Sequence, residues 1–537
     1  MAVRGPHLFS ISMALIVALP MLFIIAGLFS PMDAAWEHLR ETVLADYISN
    51  TLALLLFVAV FASILGVGTG WLIAATDFPG RRVLSWALLL PLAIPPYILA
   101  YVYADLLDFG ATTQEVFRTL FGLADDQFFV INIRSLPGAA YIMSVSLYPY
   151  IYLLARTAFT QRSSTLFSAA RSLGASPLRA FFRIALPAAR PAIIGGLALV
   201  LMETLADFGV VEYFGVPTFS TGIFRTWFAM GEREAALKLA GLMFVLVLLL
   251  IALEKYSRKG HAALHARDHG QSLSSLDPLK AWLAFTACFI PVFLGCLLPL
   301  ASLIYLALTT GDSYFASSFW ALTQNSVSVA GIATVITVVI ALYFVFSARV
   351  MKSKTLRLAS SLATLGYALP GVMLAVGLLV PLSQFERSVA DYLDASFGWN
   401  PGLFLSGTIV LLVYAYVIRF LTPAFNSCDS GLENVPLIFD HVARSLGTGT
   451  RGLIKKIHLP LLYKSICVAG LLVFVDTMRE LPATLMLRPF NFETLATRVH
   501  RLASDERLAE ASLAAISIVL IGLLPVLILN RLSERQR

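Results

Sequence analysis

Charge is scarce in this chain. Only 13 % of its 537 residues are Asp, Glu, Lys or Arg and 58 % are hydrophobic, against roughly 25 % charged residues in ordinary soluble domains. That excludes a water-soluble globular protein. Cysteine is rare too: Cys288, Cys296, Cys428 and Cys467 show no CxxC spacing and lie in or beside apolar runs. On that pattern packing is their expected role, ahead of a disulfide framework or a metal site. No glycine is followed by lysine anywhere, so the GxxxxGK[ST] phosphate cradle is missing. Without the lysine for the β- and γ-phosphates and the hydroxyl for Mg2+, the chain is expected to be no enzyme and to hydrolyse no nucleotide itself. Acidic residues are absent from 160–190, a segment that holds Arg162, Arg171, Arg179, Arg183 and Arg190. No segment has the length and polarity of a separate soluble domain.

What the chain has in abundance is long apolar runs. A helix needs about 20 such residues to cross roughly 30 Å of hydrocarbon. Twelve runs qualify, near 8–30, 51–76, 83–105, 137–159, 190–211, 235–254, 281–307, 325–347, 358–381, 404–426, 464–486 and 509–530. Proline and glycine interrupt most of them, which membrane helices tolerate. The fold class expected is an all-α polytopic membrane protein. The first run is kept as a span, because Leu28-Phe29-Ser30 before Pro31 makes a poor signal-cleavage site. Basic residues cluster in 160–190, 255–280 and 349–357, whereas 31–49 and 105–128 are acid-rich. Lys and Arg in short loops mark the cytoplasmic side, so both termini are expected inside and the loops 106–136 and 382–402 outside. Alternating basic and acidic loops argue against a nucleic-acid partner and for membrane lipid.

The chain repeats itself. Ala170-Arg171-Ser172-Leu173-Gly174 recurs as Ala443-Arg444-Ser445-Leu446-Gly447, an offset of 447 − 174 = 273 residues. Gly174 precedes Pro187 by thirteen residues, and Gly447 precedes Pro460 by thirteen. At the same offset Glu203-Thr204 matches Asp476-Thr477, Asp207 matches Glu480, and Phe219, Thr221 and Arg225 match Phe492, Thr494 and Arg498. Upstream, Asn50 pairs with Asn325 and Ala93-Ile94-Pro95 with Ala368-Leu369-Pro370, at an offset of 275. Missing such self-similarity miscalls a fold. Two parallel repeats of six spans are expected: residues 1–255, a cytoplasmic linker 256–278, and residues 279–537. Six is even, so the copies share an orientation and a pseudo-two-fold axis along the membrane normal.

Between the fourth and fifth span of each half lies the repeated basic loop, 161–187 and 434–460. Leu166, Ala169, Ala170 and Leu173 follow helical spacing. Gly174 is placed to end that helix in a left-handed conformation, and Ser176-Pro177 is an N-cap with an N1 proline that restarts one. A short helix, a sharp turn and a second helix would form a knob for a partner's groove.

This pattern resembles the EAA loop of binding-protein-dependent ABC importer permeases. The family's Glu is replaced by Ser168 and His441, while its second Ala is kept as Ala170 and Ala443. Fused two-half permeases of ferric-iron importers are similar over nearly the whole chain. The stretches that carry this likeness are Ala206–Gly215, Arg479–Thr484 and Ala503–Ala511. The resemblance implies a type I importer fold in a bacterial inner membrane. It implies two copies of an ATPase subunit, which bring ATP and Mg2+ while this chain binds no cofactor, and one extracytoplasmic binding protein. Coupling to the ATPase would fall to Ala170, Arg171, Gly174 and Pro187, and to Ala443, Arg444, Gly447 and Pro460. Ferric iron is the implied substrate, with thiamine, polyamine and phosphonate as alternatives carried by related permeases. The rival class is an ion-coupled major-facilitator carrier, echoed by Asp77-Phe78-Pro79-Gly80-Arg81-Arg82. It leaves the duplicated loops without a purpose.

Four carboxylates sit at membrane depth. Glu203 and Asp207 are four apart, as are Asp476 and Glu480, so each pair shares a helical face. One reading lines a translocation path with them; the other has them pair with Arg479 and Arg225 or cap helix ends. No metal site is assigned. Tyr97, Tyr101, Tyr103, Tyr148, Tyr150 and Tyr152 are expected as anchors at the membrane interface. Pro95-Pro96 and Pro370 are expected to break their helices in matching places.

Overall fold

The computed structural model describes residues 4–107, 119, 122, 132–160, 174–258, 274–309, 317–351, 359–360 and 363–534. Ala170 and Arg171, most of the linker 256–278 and most of the loop 106–136 lie outside them. Among the described residues eleven helices are long and apolar enough to cross a membrane. A bent pair, Arg81–Ala93 with Pro96–Leu107, turns by 90° and makes twelve when counted as one span. The only strand pairing among these residues is a two-residue parallel ladder, Thr76–Asp77 with Ser274–Ser275.

The bend has a local cause. Proline donates no hydrogen bond and pushes the residue before it out of the helical region. Ile94, before Pro95-Pro96, is extended at φ −97°, ψ 115°, and Leu369, before Pro370, matches it at φ −81°, ψ 119°. Each follows a short 3-10 turn, Leu90–Ala93 or Thr364–Ala368, and each precedes a helix, Pro96–Leu107 or Gly371–Phe397. The second of these helices runs through Pro381 to Phe397, past the expected limit at 381.

Other prolines bend the chain less. Phe181–Ala185, Phe293–Leu297 and Ile454–His458 are π turns, and each is followed directly by Leu-Pro. The Leu N–H of each pair bonds five residues back, to the carbonyl of Phe181, Phe293 or Ile454. One extra residue in the turn opens space where the proline ring would otherwise strike the carbonyl four residues before it. The helix therefore continues through Pro187 and Pro460. The crossing segments are Phe181–Ala206 and Thr450–Met478, which begin earlier than the expected 190–211 and 464–486.

The chain divides into two compact units, and each gathers segments from both sides of 256–278. One comprises Met1–Glu37, Ile223–Phe244 and Tyr314–Arg498. Within it Arg4–Gly27 packs on Gly371–Phe397 so closely that a Cβ on Gly377 would lie 2.8 Å from Ile24 and 3.1 Å from the Pro20 carbonyl. The other comprises His38–Gly222, Val245–Ser313 and Val499–Arg537. Here Leu136–Ala158 packs against Leu44–Ala75 and Leu186–Ala206, and Leu508–Glu534 packs on Leu90–Ala93. A Cβ on Gly522 would strike the Ala93 carbonyl. Lipid tails are as apolar as leucine, so such close backbone approach, rather than a hydrophobic drive, holds membrane helices together.

The tyrosines correct the interfacial reading. Tyr97, Tyr101, Tyr103, Tyr148 and Tyr152 are all buried. The Tyr103 hydroxyl donates to the Leu294 carbonyl at 2.9 Å and Tyr152 to the Ser85 carbonyl at 2.7 Å, while Tyr101 lies 2.6 Å from His500 Nδ1. They sit on helices enclosed by protein, where a phenol needs a protein partner instead of the headgroup region. Cys288, Cys296 and Cys428 are buried as free thiols, whereas Cys467 is exposed.

Candidate functional site

The two repeated loops share a backbone design. In the first, Gly174 is left-handed at φ +84°. Ser176 Oγ then accepts the Arg179 N–H at 3.3 Å and the Ser176 carbonyl accepts that of Ala180 at 2.9 Å. Pro177 opens the helix Pro177–Ala180, which passes through the π turn and Pro187 into Leu186–Ala206. In the second, the helix Leu437–Ser445 contains Ala443, which is buried, and Arg444, which is exposed. Gly447 takes φ +76°. The Ala443 carbonyl accepts the Thr448 N–H at 2.9 Å and the Arg444 carbonyl accepts that of Gly447 at 3.0 Å. This is the Schellman closure, which satisfies two carbonyls that a helix end leaves open. Gly449, extended and without a capping side chain, precedes Thr450–Leu453, and the π turn leads into Leu459–Met478 with Pro460 in its first turn.

The helix Leu437–Ser445 presents Leu437, Ile438, Phe439 and Val442 at its surface, continued by its C-cap Leu446, which is 78 % exposed. Contiguous exposed apolar side chains of this size mark an interaction surface. Its inner side is charged. Asp440 Oδ2 accepts Arg349 Nε at 2.9 Å, and Oδ1 lies 2.9 Å from Nε2 of the fully buried His458. Arg349 also donates to the Leu432 carbonyl at 3.1 Å and the Val435 carbonyl at 2.8 Å. Burial alone would raise the Asp440 carboxyl, but the hydrogen bonds and charges of Arg349 and His458 outweigh it and hold the group below the usual carboxylate range. Neither Arg349, Asp440 nor His458 stood out in the sequence. An acid and a histidine on either side of Gly447 within the loop, with an arginine ending a distant span, were the signal.

The four carboxylates separate into two kinds. Asp207 Oδ2 accepts the Val210 N–H at 2.9 Å and caps Gly209–Tyr213. Glu480 accepts the N–H groups of Ala483 and Thr484, both at 2.9 Å, and caps Pro482–Leu487. It also takes Arg419 Nη1 at 3.1 Å and is almost fully buried. Arg419 was missed, although an arginine inside an apolar span signals an acidic partner. Asp476 is half-buried and pairs with Arg479 at 2.5 Å. Glu203 is half-buried in the last turn of Leu186–Ala206. Asp207 borders a cavity of about 10 Å3, space for one water.

Beyond the caps the repeat slips. Thr218 N–H bonds Thr221 Oγ1 at 2.8 Å, and Thr494 N–H bonds Thr497 Oγ1 at 2.9 Å. Gly215 and Asn491 are left-handed at φ 68° and 61°. The offset here is 491 − 215 = 276, so Thr221 corresponds to Thr497, and Arg225 to Arg501 rather than Arg498. The turn before Leu495–Ser504 is longer than that before Phe219–Phe228, and identical letters at the old offset misled. The anchor of each helix is shared: Thr51 Oγ1 accepts the Phe219 N–H at 3.2 Å and Ser326 Oγ the Leu495 N–H at 2.8 Å.

Residues 62–256 match the family described as binding-protein-dependent transport system inner membrane component. Over 507 residues the chain is 26 % identical to the Fe(3+)-transport system permease protein FbpB 2 of Haemophilus influenzae, covering 92 % of this chain and 91 % of that one. It is 31 % identical over 182 residues to the molybdenum transport system permease protein ModB of Escherichia coli strain K12, covering 34 % of this chain and 72 % of the other. A probable sulfate transport system permease of Chlorokybus atmophyticus is 28 % identical over 183 residues, or 33 % of this chain and 59 % of that one. With its all-helical membrane fold, this chain belongs to the binding-protein-dependent transport system inner membrane component family, as the permease of an ABC importer that works with a substrate-binding protein and ATPase partners.

Proposed function

We propose that this permease imports ferric iron delivered by an extracytoplasmic binding protein, powered by two copies of an ATPase subunit that hold all the ATP and Mg2+. The observation that carries the substrate is the length of one likeness. The relative described as an Fe(3+) permease aligns along 92 % of this chain, whereas the molybdenum and sulfate permeases align along about a third. A molybdate-like oxyanion is the second reading, favoured by the 31 % identity of that shorter match. The chain itself is neither an enzyme nor a cofactor carrier; the missing Gly-Lys pair supports this.

The docking residues are Ala170, Arg171, Gly174 and Pro187, and Ala443, Arg444, Gly447 and Pro460. Support comes from the left-handed glycines at both turns and the exposed apolar face of Leu437–Ser445. Among the carboxylates, Glu203 and Asp476 are the candidates for the path. Asp207 and Glu480 are committed to helix caps, and Glu480 to Arg419 as well. The test is uptake by vesicles containing the purified permease, ATPase and binding protein. ATP-driven accumulation of 55Fe(III) is expected, with no effect of excess molybdate; accumulation of molybdate without iron would replace the substrate assignment.

Both termini and the linker 256–278 are placed in the cytoplasm of a bacterial cell, with the chain read as two fused permease halves. The Lys and Arg of the short loops support that orientation. His265→Cys in intact cells is expected to resist an impermeant thiol reagent until the membrane is opened. Labelling from outside would reverse the topology.

A further inference from the structure

The repeat makes the two halves comparable, and the described residues that anchor the second docking element have apolar counterparts in the first half. At the offset of 275, Arg349 corresponds to Ala74; at 273, His458 corresponds to Ala185 and Asp440 to Phe167, which lies outside the described residues. Ala74 and Ala185 belong to an apolar cluster with Ala155, Phe159 and Ala189, flanked by Trp71 and Phe181. Such contacts are non-directional and permit sliding. In the second copy the same places hold a carboxylate between a guanidinium and an imidazole.

Four segments meet at that carboxylate. Arg349 brings the end of Ser317–Met351 and, through the Leu432 and Val435 carbonyls, the end of Ile409–Glu433. Asp440 stands in the first turn of Leu437–Ser445, and His458 closes the π turn before Leu459–Met478. Phe346 stacks on the His458 ring at 5.6 Å and 18°. Facing a carboxylate, Nε2 carries a proton, and Nδ1 has no partner among the described residues. Charge-assisted hydrogen bonds are short and directional. The docking helix cannot tilt against these three neighbours without breaking them.

We propose that Arg349, Asp440 and His458 form a positioning junction that stiffens the second docking element and makes it the dominant route between ATPase and membrane helices. The inference rests on the docking reading above. It is tested in the assembled transporter, with its ATPase and binding protein, by the ratio of substrate moved to ATP hydrolysed. Asp440→Asn and His458→Phe are expected to lower that ratio about fivefold or more while the ATPase still co-purifies. His458→Gln, which keeps an N–H near the place of Nε2, is expected to retain it. If the single changes prevent assembly, the apolar pair Arg349→Met with Asp440→Leu decides, since it leaves no buried charge behind. Normal yield with a low ratio supports the junction; normal yield with a normal ratio reduces it to structural support and overturns the proposal. Gly447→Val is expected to lower the ratio more than Gly174→Val, and equal losses would remove the dominance. If Gly447→Val uncouples but Asp440→Asn and His458→Phe do not, the junction fails while docking stands. If the glycine variants also leave coupling intact, both readings fall.

Discussion

Valine at Gly174 and Gly447 together is expected to uncouple the transporter, with substrate-stimulated ATP hydrolysis falling by an order of magnitude or so while membrane insertion and yield stay normal. Both glycines are left-handed, at φ +84° and +76°, and among the described residues no atom beyond the chain neighbours lies within 4 Å of where either Cβ would stand. The penalty is therefore purely backbone. A non-glycine residue in this region costs about 1–2 kcal/mol, more when β-branched, and that shifts a population by roughly 5–30-fold per site. A turn standing in open space relieves the strain by opening, so the loss appears in the shape of the docking knob and not in the helix bundle. Asparagine, which tolerates the left-handed region, is expected to be much milder at either position. Stimulated hydrolysis in proteoliposomes, measured beside ATPase co-purification, checks this. Full stimulation in the double valine variant would end the docking assignment.

Glu480→Ala is expected to be the most destabilising single change at the carboxylates. It removes the cap of Pro482–Leu487, the side-chain acceptor for the Thr484 hydroxyl and the partner of Arg419 at once. The Glu480 side chain is 1 % exposed and that of Arg419 13 %. Breaking a buried pair from one side costs about 3–5 kcal/mol, because the remaining charge is left without compensation. The expected result is a collapse of detergent-stable yield, largely restored by adding Arg419→Met. By contrast Asp476, half-buried beside Arg479, is expected to tolerate neutralisation with little loss of yield. Yields measured by fluorescence-detected size-exclusion chromatography check both. Equal yields for Glu480→Ala and the unchanged protein would show that the pair supports nothing.

What could be read from sequence was what single residues dictate alone. The turns at Gly174 and Gly447 and the breaks before Pro95 and Pro370 follow from backbone sterics at one position. The number of spans and the all-helical class follow from run length. What required pairing through space was hidden. Arg419 and Glu480 are 61 residues apart and Arg349 and Asp440 are 91 apart, with no periodicity linking them. A tyrosine near a span end looks the same whether it faces headgroups or, like Tyr101, a histidine 399 residues away. Pro187 and Pro460 were read as limits because a π turn leaves no letter of its own.

The interleaving of the two units has a consequence for the order of synthesis. The N-terminal helix Arg4–Gly27 finds its seat on Gly371–Phe397, and 371 − 27 = 344 residues separate them. At about 5–20 residues per second, the ribosome takes roughly 20–70 s to deliver that surface. For this interval the side of the helix that will close over Gly377 is turned toward lipid or toward whatever attends the nascent chain. Leu508–Glu534 is in the opposite position: its seats on Leu90–Ala93 and Leu298–Thr309 are made before it and wait, and the unit it completes stays open until that helix has been added.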